Sequence, residues 1–172
     1  MQRIRDTVKI KFIYCLMVVI VLIISPRLNA LSKIDEVLVY KSQRLMKLMA
    51  GKTVVAQYRI SLGANPIGHK QQQGDSRTPQ GQYSIDYRNP HSRFYRSLHI
   101  SYPNKHDRAL ARRRGVSPGG DIYIHGLPNG QGALAAVYSY IDWTDGCIAV
   151  SNSAMRVIWQ RVKNGTPIRI LP

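Results

Sequence analysis

Short apolar runs and alternating apolar and polar positions recur along the chain from about residue 36 onward. Alternation with a period of two is typical of half-buried β-strands, and polar turns of two or three residues separate the runs as in a β-meander. The pattern predicts strands near residues 37–40, 45–49, 53–60, 83–87, 98–102, 122–124 and 167–171. We therefore expect a mostly β domain, folded as a sandwich or a barrel.

Two stretches have a helical pattern instead. Residues 132–141 are rich in alanine, and residues 151–162 begin with three candidate caps, Ser151, Asn152 and Ser153, and place four apolar side chains at helical spacing. The segment between them and the earlier strands, residues 103–120, is basic and rich in turn formers, and is expected to be a long loop. The fold should thus contain one or two helices.

The first thirty residues have a different character from the rest. Four basic residues precede the uncharged run Phe12–Ile24, and Pro26 and Ala30 follow it, as in a secretory signal cleaved after Ala30. An uncleaved membrane anchor is the alternative, although the apolar run is shorter than the roughly 20 residues that a spanning helix needs. We expect residues 1–30 to be a signal peptide or signal anchor, residues 31–172 to be a single domain, and the protein to be exported to the periplasm or cell envelope.

The chain is strongly basic, with a formal net charge of +16. Such a balance favours an anionic partner, which for an exported protein means a cell-wall polymer or a membrane surface before a nucleic acid. The one basic cluster, Arg108 with residues 112–114, has no interleaved aromatic side chains that could stack on bases. We therefore expect no nucleic-acid partner, and membrane contact only through an uncleaved N-terminal segment; a solvated basic loop remains an equal reading of the cluster.

Cys147 is the single cysteine after residue 30, so it has no partner there for a structural disulfide. Such a thiol pairs with another molecule, is buried and inert, or is a nucleophile. Gly146 before it, with Thr144 and Asp145, indicates a turn instead of a core strand. A thiol nucleophile needs a base, because its pKa is ordinarily about 8.5. The candidate is His125, which ends an apolar strand.

The other histidines fit this role less well. Three of them, His69, His91 and His106, fall in polar segments and are expected to be exposed, and His99 lies on the polar side of a strand. Zinc sites usually show paired ligands at short spacing, which the sequence lacks. We therefore expect neither a metal nor a cofactor.

Two motifs in order carry a resemblance to a known family. Residues 115–126 (GVSPGGDIYIHG) and 144–148 (TDGCI), preceded by residues 74–81 (GDSRTPQG), resemble the catalytic domain of the L,D-transpeptidases, the YkuD-like family. The resemblance covers about residues 36–171. It implies a β-sandwich of mixed sheets with the site in a cleft, and peptidoglycan as the partner.

The resemblance also implies roles for individual residues. Cys147 would be the nucleophile, His125 its base and the backbone at Gly146 part of an oxyanion hole, with Thr144 and Asp145 lining the site. Substrate binding is expected at three further positions: Tyr123, Gly126 and Arg77. Members of the family cleave between diaminopimelate and the terminal D-alanine of a tetrapeptide stem, form a thioester, and pass it to a diaminopimelate, a lysine of an outer-membrane lipoprotein, a free amino acid or water.

The chain departs from the family pattern beside the cysteine. Many members have a basic residue where this chain has Asp145, and an arginine where it has Ala149. A carboxylate at position 145 either raises the pKa of the thiol or orients an imidazole. Two other readings therefore stay open: a hydrolase on the same fold, either an L,D-carboxypeptidase or an amidase-like enzyme, and a non-catalytic basic protein that binds the cell wall.

Overall fold

The structure is a computed structural model that describes residues 32–172. Residues 34–172 form one compact unit, while the predicted signal segment, residues 1–30, lies outside the described residues. The strands are β1 (Glu36–Tyr40), β2 (Leu45–Ala50), β3 (Thr53–Arg59), β4 (Gly81–Asn89), β5 (Ser97–Ile100), β6 (Tyr123–His125), β7 (Ile148–Ala149) and β8 (Pro167–Leu171). The helices are α1 (Lys105–Arg113), α2 (Ala135–Tyr138), which follows a 3-10 turn at Gly132–Leu134, and α3 (Asn152–Arg161).

The eight strands hydrogen-bond in the order β3-β2-β1-β8-β4-β5-β6-β7. The β1–β8 and β6–β7 pairs are parallel and the others are antiparallel, which confirms the prediction of a mostly β fold with mixed strand directions. β4 joins the two halves of the sheet, because Gly81–Ser84 pair with β8 and the residues from Ile85 onward pair with β5. The sheet curls at this strand, and buried residues of both halves and of α3 share one hydrophobic core.

Helix α1 corrects the expectation of a loop over residues 103–120 and brings the number of helices to three. Its start is a capping box: the Asn104 side chain accepts hydrogen bonds from the N–H groups of His106 and Asp107, and the Asp107 carboxylate accepts from the Asn104 N–H. Most of its other side chains face solvent, so the apolar periodicity that reveals helices is missing here.

Helix α3 begins where the sequence indicated. The Ser151 hydroxyl accepts a hydrogen bond from the Ala154 N–H, and Met155 and Ile158 are buried in the core. The helix follows β7 directly and packs against the sheet, so it fixes the short edge strand that begins immediately after the candidate nucleophile.

Candidate active site

His125 is the last residue of β6, which lies between β5 and β7 in the sheet. Its neighbour Gly126 is buried, and a Cβ there would lie 2.6 Å from the Asn152 Oδ1 and 2.7 Å from the Tyr95 carbonyl oxygen. No side chain fits this space. Gly126 therefore allows close packing behind the imidazole and does not line the cleft described below.

The imidazole of His125 is held in one orientation. Its Nδ1 lies 2.6 Å from the Gly126 carbonyl oxygen, which only accepts hydrogen bonds, so Nδ1 carries the proton and Nε2 has a free lone pair. Phe94 stacks on the ring at 4.2 Å between centroids, and Trp143 approaches it edge-on at 5.7 Å. Burial lowers the pKa of His125 to about 4, against the opposing effect of the Gly126 hydrogen bond, so the ring is neutral at pH 7.

Cys147 follows a tight turn that Thr144 closes. The Thr144 hydroxyl donates to the Cys147 carbonyl oxygen at 2.7 Å and accepts from the Gly146 N–H at 3.2 Å. Gly146 has a φ of +120°, and a Cβ on it would lie 2.6 Å from the Arg77 carbonyl oxygen. Both the backbone conformation and the space beneath the turn therefore require glycine.

The strand segment after β3 holds this turn in place. Ser61 exchanges two backbone hydrogen bonds with Ala149, the Thr144 N–H donates to the Leu62 carbonyl oxygen, and the Ala64 N–H donates to the Thr144 carbonyl oxygen. Gly63 runs so close to the turn that a Cβ on it would lie 3.0 Å from the Gly146 Cα. The backbone around Cys147 is thus held by hydrogen bonds and close packing.

The thiol of Cys147 is half-buried and contacts two backbone groups, the carbonyl of Asp121 and the N–H of Tyr123, the first residue of β6. Its Sγ lies 3.5 Å from the Asp121 carbonyl oxygen, to which the S–H donates, and the Tyr123 N–H donates to the sulfur. Burial raises the pKa of Cys147 to about 11, the Tyr123 N–H opposes this, and the charges of Asp145 and Asp121 raise it further. Asp145 therefore acts on the thiol in the first of the two ways that the sequence left open.

Cys147 and His125 lie on the same face of the sheet. In the parallel β6–β7 pair, His125 is in register with Ala149, which places Cys147, two residues earlier, diagonally across from His125. Both side chains line one cleft of about 490 Å³. Its other lining residues are Asn89, His91, Ser92, Arg93, Phe94, Ser97, Asp121, Tyr123, Trp143, Thr144 and Asp145.

The cleft thus brings together five of the eight residues singled out in the sequence: Tyr123, His125, Thr144, Asp145 and Cys147. Gly126, Gly146 and Arg77 are outside its lining. Sequence reasoning did not identify Phe94, Trp143 or Asp121. Asp121 has a φ of +55°, unusual for a residue other than glycine, and this conformation presents its carbonyl oxygen to the thiol.

Residues 74–81 form a loop around the carboxylate of Asp75. That carboxylate accepts hydrogen bonds from the N–H groups of Gln71 at 2.6 Å and Arg77 at 3.1 Å, and from the Lys70 Nζ at 2.7 Å. Burial favours the protonated acid, but these hydrogen bonds prevail and hold the pKa of Asp75 below its ordinary value. The loop presents the carbonyl of Arg77 to the nucleophile's turn.

The side chain of Arg77 extends away from the cleft. A Cβ on Gly68 would lie 3.5 Å from its Nη1, and its charge acts on the pKa of Lys41. Lys41 is 2% exposed and donates to the carbonyl oxygens of Gly68 at 2.5 Å and Thr78 at 2.8 Å. These two bonds tie the segment at Gly68 to the 74–81 loop. Burial lowers the pKa of Lys41 to about 8.

His69 corrects the expectation that it is exposed. The side chain is half-buried, its Nε2 lies 3.2 Å from the Asp107 Oδ1, and its Nδ1 accepts a hydrogen bond from the Gln80 N–H. It therefore links the loop to helix α1. His91 and His106 are exposed, as expected.

Within residues 32–172 no group of three or more His, Cys, Asp or Glu residues is arranged to hold a metal ion. No helix in the same range is long and apolar enough to cross a membrane.

Comparison with known proteins adds three relatives. A protein of Escherichia coli strain K12 named "Putative L,D-transpeptidase YafK" is 32% identical over 77 residues, which are 41% of this chain and 31% of that protein. The helical cell shape determining protein Pgp2 of Campylobacter jejuni is 25% identical with a TM-score of 0.61, over 81% of this chain and 47% of that one. An L,D-transpeptidase of Xylanimonas cellulosilytica, 18% identical with a TM-score of 0.52 over 81% of this chain and 61% of that one, shares the fold.

The matches to YafK and Pgp2 span less than half of the length of either relative. The family model for the L,D-transpeptidase catalytic domain, YkuD, in contrast matches residues 34–170, almost the whole described chain. It includes the loop around Asp75, His125 and the turn that carries Cys147. The chain belongs to the YkuD family of L,D-transpeptidase catalytic domains.

Proposed function

We propose that this protein is a peptidoglycan L,D-transpeptidase, a cysteine-dependent acyltransferase that acts on the bond between diaminopimelate and the terminal D-alanine of a tetrapeptide stem. The observation that supports this most directly is the shared cleft, in which a thiol and an imidazole with a free Nε2 come from neighbouring strands. Membership of the family supports peptidoglycan as the substrate. The basic surface suits an anionic polymer.

In the proposed first step, Cys147 Sγ attacks the carbonyl carbon of the diaminopimelate residue. The S–H proton passes to His125 Nε2 as the C–S bond forms, and then to the nitrogen of the departing D-alanine as the C–N bond breaks. The Gly126 carbonyl oxygen accepts the Nδ1–H throughout and stabilises the transient imidazolium. A thioester on Cys147 results.

Backbone N–H groups of the turn at Gly146 and Cys147 are the proposed oxyanion donors. The Gly146 N–H donates to the Thr144 hydroxyl at 3.2 Å, a long bond, and exchanges it for a charge-assisted one when the substrate oxygen becomes negative. Thr144 then continues to hold the turn through the Cys147 carbonyl oxygen. The Tyr123 N–H orients the sulfur, and Phe94 and Trp143 form the wall against which the peptide stem lies.

Gly126 and Arg77, expected to bind substrate, receive a different role in this proposal. Gly126 lets the chain pack closely behind the imidazole, and Arg77 supports the turn through its carbonyl oxygen instead of its charge. The acceptor of the acyl group is proposed to be an amine, supplied by a diaminopimelate, a free amino acid or a lysine of an outer-membrane lipoprotein. The site of action is then the periplasm or cell envelope, reached through residues 1–30 as an export signal.

The test is incubation of the purified full-length chain with a disaccharide tetrapeptide, followed by mass spectrometry of the muropeptides and of the intact protein. We expect cross-linked dimer, release of D-alanine and an acyl adduct on Cys147. Cys147→Ala should abolish all three, whereas the matched control Cys15→Ala, which removes the other cysteine of the chain, should retain them.

Each alternative predicts a different result. Tripeptide with no cross-linked product would indicate a hydrolase of the carboxypeptidase or amidase type on the same fold. No adduct on Cys147, together with undiminished binding of the Cys147→Ala variant to peptidoglycan, would indicate a non-catalytic wall-binding protein and refute the proposal.

A further inference from the structure

Most of the few acidic residues of this basic chain have an ion-pair partner in the described range. Eight lie within residues 32–172, and five of them pair with a lysine, arginine or histidine: Glu36, Asp75, Asp86, Asp107 and Asp142. Asp35 accepts a hydrogen bond from the Gly51 N–H. In this part of the chain, the remaining two, Asp121 and Asp145, have no cation within ion-pair distance.

Both of these carboxylates line the cleft that contains Cys147. They come from different segments of the chain, since Asp121 precedes β6 and Asp145 lies in the turn before β7. Their neutral contacts are long: the Asp121 Oδ1 is 3.5 Å from the Tyr123 hydroxyl, and the Asp145 Oδ1 is 3.5 Å from the Ser76 hydroxyl. Both residues are exposed, so the carboxylates are open to a ligand in the cleft.

Their position is unfavourable for the nucleophile alone. Negative charge beside the sulfur opposes formation of the thiolate, and both carboxylates raise the pKa of Cys147. The chain has 25 lysine and arginine residues, and yet none of those in the described range neutralises either carboxylate. A cationic group that arrives with a substrate would therefore meet two carboxylates that no positive charge of the described residues already neutralises.

We propose that Asp121 and Asp145 bind the protonated amino group of the acyl acceptor, and that they favour an amine over water at the thioester of Cys147. This inference rests on the proposed function. Two carboxylates from different segments give a primary ammonium two charge-assisted hydrogen bonds, which concentrates the acceptor beside the acylated sulfur. Water carries no positive charge, so the two carboxylates do not concentrate it beside the sulfur in this way.

The second half-reaction then balances as follows. The bound ammonium loses one proton to solvent, its nitrogen attacks the thioester carbonyl carbon, and a C–N bond forms as the C–S bond breaks. The second proton leaves the nitrogen for His125 Nε2, which returns it to the sulfur of Cys147. The products are an amide and the free thiol, and no other reactant is needed.

The test uses full-length Asp121→Asn, Asp145→Asn and the double variant, with Asp35→Asn as a control that removes the same charge before β1, outside the cleft. Asparagine is one of the residues that tolerates the positive φ of position 121, so the backbone carbonyl should stay in place. Three measurements are made. The first is the rate of Cys147 acylation without acceptor at several concentrations of a disaccharide tetrapeptide, which also gives the KM of this donor. The second is the KM of a tripeptide amine acceptor, and the third is the rate with hydroxylamine, a nucleophile that is neutral near pH 7.5.

We expect the acceptor KM to rise at least tenfold in each single variant and further in the double variant. Acylation should become faster, because the thiol loses a repelling charge, and the hydroxylamine rate should not fall. The Asp35→Asn control should match the unaltered chain in all three.

Two results would overturn the inference. An unchanged acceptor KM would show that the carboxylates do not bind the amine, and a rise only in the KM of the tetrapeptide would assign the bound ammonium to the donor stem. Failure of the proposed function looks different, because the unaltered chain would then form no thioester at all.

Discussion

The state of the thiol before substrate binds can be tested through its reactivity as a function of pH. With a pKa of Cys147 of about 11, roughly one molecule in ten thousand carries a thiolate at pH 7. With a pKa of His125 of about 4, the imidazole does not hold the proton either. The site should therefore rest as a neutral thiol beside a neutral imidazole.

The magnitudes decide between this state and a thiolate–imidazolium pair. Moving the proton from a group of pKa about 11 to one of pKa about 4 costs on the order of 10 kcal/mol. Attraction between the two charges recovers about 4 kcal/mol even at a separation of 4 Å and an effective dielectric constant of 20. The neutral pair is favoured by several kcal/mol, so proton transfer must accompany attack on the substrate.

The assay is alkylation of the Cys15→Ala variant by iodoacetamide, followed by intact-protein mass spectrometry between pH 6 and pH 9.5. The rate should rise about tenfold per pH unit over the whole range, because only the thiolate reacts. His125→Asn should give the same slope. A rate that is already constant below pH 7 in the parent, and that becomes pH-dependent in His125→Asn, would refute the neutral pair and establish an ion pair instead.

Three further outcomes follow from the packing and charges. Gly146→Ala should lower the free energy of unfolding by about 3 kcal/mol in urea titrations and abolish acylation, because the new Cβ meets the Arg77 carbonyl oxygen at a positive φ. The control Gly130→Ala, also at a positive φ but with no atom within 4 Å of the new Cβ, should lower it by only about 1 kcal/mol. Equal losses in the two variants would contradict the packing argument. Lys41→Met should lower the free energy of unfolding by about 2 kcal/mol and slow acylation, because the carbonyl oxygens of Gly68 and Thr78 lose their donor. An unchanged melting temperature would show that these two hydrogen bonds are dispensable. His125 stays neutral in the folded protein while the unfolded chain binds a proton below pH 6.5, so stability should fall by about 3 kcal/mol as the pH drops from 6.5 to 4, and His125→Asn should lose that part of the pH dependence.

Local patterns predicted the regular elements well. The strand at Pro167–Leu171 was found with its observed bounds, and the Ser151 cap marked the start of α3. Helix α1 was missed because charged side chains cover it, although Asn104 and Asp107 at the capping-box spacing were a usable signal.

The site was predictable only where chemistry is concentrated in a short motif. His125 and Cys147 could be picked out because glycines and the family pattern surround them. Phe94 could not, since its stacking on His125 depends on the path of the chain before β5 and not on any local sequence signal. Nor does the sequence indicate that Arg77 contacts the turn through its carbonyl oxygen, since a backbone contact leaves no mark on residue type.

Beneath the turn that carries Cys147, three stretches of backbone meet: Gly63, the carbonyl groups of Ser76 and Arg77, and Gly146. Side-chain interfaces can adapt to mutation by repacking, but a backbone-to-backbone junction has nothing to exchange. The geometry of residues 74–81 and that of residues 144–148, about seventy positions apart, therefore constrain each other directly. A chimera that takes residues 74–81 from one relative and 144–148 from another should be active only when the carbonyl at position 77 lies at the same distance from Gly146 in both relatives.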